Sequence, residues 1–154
     1  MRLALLAITL LMNTSGFAAD IASCSDPEGY AYFPETGLVG KEGSGWSADR
    51  ISGGIVKLVK LSDGEYDVLF VDATKDIISA RGDGATILPL NVGESAFSVL
   101  VVYPGKTAEV FTFLRTTSGG LEFLHVTSRA GDEVPIAKAG VMRGPCSYIH
   151  FGEL

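Results

Sequence analysis

The sequence predicts an all-β, single-domain antiparallel meander, with an up-and-down barrel favoured over a sandwich. Three observations predict it. Short β-rich runs follow one another closely from Gly53 onward, turn signals of a few residues separate them, and no helical period of useful length follows residue 18. Connections this short permit only antiparallel neighbours, because a parallel crossover needs a dozen residues or more.

The chain begins MRLALLAITLLMNTSGFAAD, which has the three parts of a secretory signal peptide. Arg2 supplies the positive end, Leu3 to Met12 the apolar run, and Gly16-Phe17-Ala18 the small residues that a signal peptidase reads. Cleavage is expected after Ala18, giving a leader over 1–18. The run is roughly half the length of a membrane-spanning helix, and no other stretch approaches a span. The expectation is an exported protein, periplasmic or extracellular, with no stable membrane insertion. Ile21-Ala22-Ser23-Cys24 has the form of a lipoprotein box, but Asn13 to Gly16 and Asp20 separate it from the apolar run, which argues against a lipid on Cys24.

Residues 19–50 form a Gly/Pro-rich entry segment, continuous with a β domain over 51–154. Pro27, Gly29, Pro34, Gly37, Gly40, Gly43 and Gly45 leave no room in it for a long helix or a long strand. Beyond it, Ile55–Leu61 and Tyr66–Val71 flank an Asp63-Gly64 hairpin turn. Ile77–Ser79, a turn at Arg81-Gly82-Asp83-Gly84, and Ala85–Leu90 follow, with Pro89 marking the last as an edge or a strand end. The clearest block is a meander. Phe97–Tyr103 turns at Pro104-Gly105-Lys106 into Glu109–Arg115, which turns at Ser118-Gly119-Gly120 into Leu121–Thr127. Val134–Met142 and Tyr148–Phe151 add two further strands, for seven to nine in all. Val99-Leu100-Val101-Val102 is apolar on both faces, as in a central strand or a barrel with a covered exterior.

About 135 residues remain after the leader, enough for one domain with a core. The formal net charge is −6, and loss of Arg2 with the leader takes it to −7. The acidic balance and the lack of a Lys/Arg cluster argue against nucleic acid and anionic lipid surfaces as partners, since both demand a basic patch. The two cysteines, Cys24 and Cys146, are expected to pair in an oxidising compartment and close nearly the whole domain.

Chemistry-bearing motifs are scarce. His125 and His150 are the only histidines and lack further ligands at metal spacing, so neither a metal nor another cofactor is implied. No Gly-x-Ser-x-Gly elbow is present. Asp67, Asp72, Asp76 and Asp83 lie near one another in sequence, and solvated turns are their ordinary place. Gly105-Lys106-Thr107 has a strand-to-strand context unsuited to phosphate binding, and Arg81-Gly82-Asp83 is explained as a turn.

The ligand-binding residues suggested by sequence are Trp46, Tyr30, Tyr32 and Phe33, whose aromatic faces sit in Gly/Pro-rich chain. The more ordinary role for them is to close one end of the fold, with Trp46 plugging the core. Glycines, a tryptophan and then a meander resemble the entry of a lipocalin-type barrel. That family's Gly-x-Trp requires glycine at position 44, where Ser44 stands, so no functional residue is carried over. The function expected is a non-catalytic binding domain for a small apolar ligand, a protein or a glycan. The alternatives are a small hydrolase using carboxylates, with or without His125, and an inhibitor of an extracellular hydrolase.

Overall fold

The computed structural model describes residues 18–62, 64–71 and 76–154. All of the 1–18 leader except Ala18 lies outside these residues, as do Asp63 and Asp72. The strands are β1 (Ala19–Ser25), β2 (Glu28–Phe33), β3 (Gly45–Arg50), β4 (Ile55–Ser62), β5 (Glu65–Val71) and β6 (Ile77–Ser79), followed by β7 (Thr86–Val92), β8 (Ala96–Tyr103), β9 (Thr107–Arg115), β10 (Leu121–Arg129) and β11 (Lys138–Ile149). They form one antiparallel sheet in the order β6-β5-β4-β1-β11-β10-β9-β8-β7, with β2 also paired to β11 and β3 to β2. The sheet curls into a half-barrel, as the sequence predicts.

The β8–β9–β10 meander stands where the sequence places it, and β7, with its Pro89, is an edge strand. Two readings of the sequence are corrected. The Gly/Pro-rich entry segment supplies three strands of six or seven residues. β1 and β2 lie end to end along β11, with Ser23 opposite Tyr148 and Tyr32 opposite Ala139, and β3 pairs along the other side of β2. Between β1 and β2, Asp26 adopts φ +47 and takes the Gly53 N–H on its carboxylate at 3.0 Å. That bend lets β1 pair with β4 on its far side while β2 pairs with β3.

The second correction concerns the two strands expected after Val134, which are one continuous strand, β11. Gly144 and Pro145 do not interrupt it because they lie where β11 passes from β2 to β1, opposite no residue of either strand. The N–H that proline lacks therefore has no ladder partner to lose on that side. Gly144 is needed for a different reason. A Cβ there would sit 2.3 Å from the Ser25 carbonyl oxygen and 2.6 Å from the Phe123 ring.

Phe97, Phe111, Phe113 and Phe123 are fully buried and fill the concave side together with Ile21, Leu58, Val68, Val99 and Val101. Tyr66 meets Phe97 with ring centroids 4.8 Å apart, and Phe70 meets Phe111 at 5.6 Å. These contacts join strands far apart in the sheet order, so burial of the aromatic rings holds the curl. Cys24 and Cys146 face one another across β1 and β11 and are disulfide-bonded, as expected. Asp67 is a structural residue, not a solvated turn carboxylate. It is buried on β5 and accepts hydrogen bonds from the Val68 N–H, the Ser79 hydroxyl and the Arg81 N–H, which fixes the 79–84 turn.

Candidate functional site

Strand alternation gives the sheet a second face, opposite the phenylalanine core. Residues paired in register share a face, so the ladders can be followed across the molecule. One row runs Ala48–Tyr30–Val141–Val126–Val110–Leu100–Leu88, across β3, β2, β11, β10, β9, β8 and β7. The next row on the same face runs Trp46–Tyr32–Ala139–Ser128–Ala108–Val102–Thr86. Neither contains a charged residue. Seven strands at the usual spacing make the strip about 30 Å wide. Val126 and Val141, in its middle, are 46% and 52% exposed.

Beyond the Tyr30 row the register continues through Arg50, Glu28 and Arg143, with Arg143 Nη1 3.7 Å from Glu122. The face therefore has an uncharged centre and a charged border at the β3–β2–β11 end.

Of the four residues singled out from sequence, three come together here. Tyr30 is 64% exposed and Trp46 72%, and Tyr32 and Trp46 meet edge to face at 5.6 Å and 61°. Trp46 does not plug the core. It extends outward from β3, a strand with a neighbour on one side only. Phe33, next along β2 and opposite Gly45, points to the other face.

On the concave side a cleft of about 510 Å³ opens beside the filled core. Phe70, Ile78 and Met142 form apolar wall, and Tyr103, Glu109, His125 and Thr127 contribute polar groups. His125 was expected to be an ordinary surface or hydrogen-bonded histidine; its side chain is mostly buried, stacked on Phe111 at 4.3 Å with 9° between planes. Its Nε2 lies 3.5 Å from a Glu109 carboxylate oxygen and has no hydrogen-bond partner among the described residues. Burial, then the negative charges of Glu109, Asp83 and Asp67, push the Tyr103 hydroxyl up to about 12. His150 takes no part in either place: exposed beyond β11, it stacks on Tyr148 at 4.9 Å.

The sequence reading missed Glu109 as a site residue. The signal was available in the hairpin register: with Phe113 opposite Phe123, His125 falls opposite Phe111 and Glu109 opposite Thr127, so Glu109 and His125 are diagonal neighbours on one face. Among the described residues, no group of three or more His, Cys, Asp or Glu side chains is placed to hold a metal ion. Among the described residues, no helix is long and apolar enough to cross a membrane. Comparison with protein-family models, with curated proteins and with solved structures finds no match to this chain.

Proposed function

We propose that the protein is an exported, non-catalytic binding domain that docks another protein on the outer face of its sheet. The observation that carries this reading is the pair of uncharged rows spanning seven strands. Singly scattered surface hydrophobics need no explanation, whereas a contiguous apolar strip marks an interaction site. An apolar centre with charge at the border also matches the anatomy of protein interfaces, and exposed Tyr and Trp are the side chains that anchor them.

A protein suits the face better than the other two ligand classes. A glycan stacked on the exposed Tyr30 and Trp46 rings would use one end of the strip and leave Val126, Leu88 and the other apolar residues across the remaining strands uncovered. A ligand enclosed within the fold would compete for space with four fully buried phenylalanines. Export is supported by the Leu3–Met12 run and by the Cys24–Cys146 bond, which suits an oxidising compartment.

Trp46 is the sole tryptophan, so its emission reports on this face alone. Docking is expected to shift that emission to shorter wavelength as water leaves the indole. Val126→Lys should abolish the shift while changing the stability of the isolated domain by no more than about 0.5 kcal/mol, as for other exposed positions. A partner bound equally well by Val126→Lys would place the interface elsewhere. The Glu109–His125 contact is the observation that favours the hydrolase reading. Hydrolytic turnover lost in a folded His125→Ala variant would replace binding with catalysis.

A further inference from the structure

The concave cleft lies on the side of the sheet away from the outer strip, and its chemistry is different. Its volume, about 510 Å³, is within the usual range of small-molecule sites. Each cation at its edge already holds an internal partner. Lys138 Nζ is 2.8 Å from Asp49, Lys106 Nζ is 3.4 Å from Glu133, and Arg129 donates its Nε–H to the Ile136 carbonyl at 3.1 Å.

Glu109 lines the same cleft. Its side chain is 17% exposed, and the cation-forming group beside it is His125 Nε2 at 3.5 Å, with no hydrogen bond formed at that nitrogen. An ionised carboxylate has about four acceptor sites, so Glu109 can take N–H donors from a ligand in the cleft. Tyr103 stands beside these acids: burial first, and then the charges of Glu109, Asp83 and Asp67, raise its hydroxyl.

We propose that this cleft binds a small organic ammonium compound with an apolar body. The ammonium brings three N–H donors and a positive charge to a floor where Glu109, Tyr103 and Thr127 offer oxygen acceptors. The apolar body lies along Phe70, Ile78 and Met142. A carboxylate head in the same place would meet Glu109 as a like charge in a partly desolvated site.

Three probes with one apolar body separate the possibilities: phenethylamine, phenethyl alcohol and phenylacetate, each titrated into the protein while amide resonances are followed by NMR. Phenethylamine should move resonances at Glu109, His125 and Tyr103 and bind at least about tenfold more tightly than the alcohol. Phenylacetate should bind more weakly than either. Glu109→Gln should remove the preference for the ammonium over the alcohol, and Val126→Lys should leave it intact, because position 126 faces the other side. The wild-type comparison of the three probes is decisive even if Glu109→Gln fails to fold. Phenylacetate binding as tightly as phenethylamine would overturn the proposal, as would the absence of any cleft shift up to about 10 mM phenethylamine. Neither result bears on the outer face, whose test uses Trp46 and Val126.

Discussion

Cys24→Ser is expected to lower the free energy of unfolding by about 2–4 kcal/mol, the usual loss for removal of a bridge. The two cysteines are 122 residues apart, so the bond restricts nearly the whole unfolded chain. On the chain-entropy account a loop of that size gives at most about 4–5 kcal/mol. The substitution also leaves a hydroxyl among apolar neighbours, since Cys24 is buried within the core cluster. The double variant Cys24→Ala with Cys146→Ala avoids that polar penalty, so its loss isolates the crosslink. Urea denaturation of the three proteins, with and without reductant, measures both contributions. A double Cys→Ala variant with the same midpoint as the oxidised wild type would mean that the bond contributes nothing to stability.

Phe111→Ala should be at least as damaging, with a loss of about 3–5 kcal/mol, as for other large-to-small changes at buried aromatics. Phe111 is fully buried, packs against Phe70 at 5.6 Å and supports the His125 ring at 4.3 Å. The cavity would remove that support as well as the apolar contact. The adjacent Val110→Ala is the control: Val110 belongs to the outer row, and its truncation should cost under about 1 kcal/mol. The contrast between neighbouring residues tests which face of β9 is the core. Similar losses at both positions would mean that the outer face is covered within the folded chain itself.

Local chemistry made much of this fold legible. Alternation and glycine turns located β8, β9 and β10, because those strands pair with their sequence neighbours. Pro89 marked an edge for the same reason, since a missing N–H is a local fact. What remained hidden depends on long-range pairing. β1 and β2 share β11 as a partner more than a hundred residues later, and β1 also pairs with β4, so most of their pairing is invisible to neighbouring residues. Gly144-Pro145 looks like a break until the change of partner from β2 to β1 is known. The candidate site divides in the same way. Tyr30, Tyr32 and Trp46 were visible as exposable aromatics in Gly/Pro-rich chain, and their common face follows from the β2–β3 register. The apolar second face of β8 was visible too, but its union with other strands into rows across the sheet required the complete strand order.

The claim that the outer face is an interface is tested most directly by photo-crosslinking in cells that produce the protein. A photoreactive side chain is placed at position 126 or 141, in the middle of the strip, and for comparison at position 118, in the exposed β9–β10 turn. The account predicts a discrete protein adduct from positions 126 and 141 and none from 118, with an adduct of twice the chain mass identifying a second copy as the partner. An outer face that gives no adduct, or gives the same diffuse products as position 118, would contradict it.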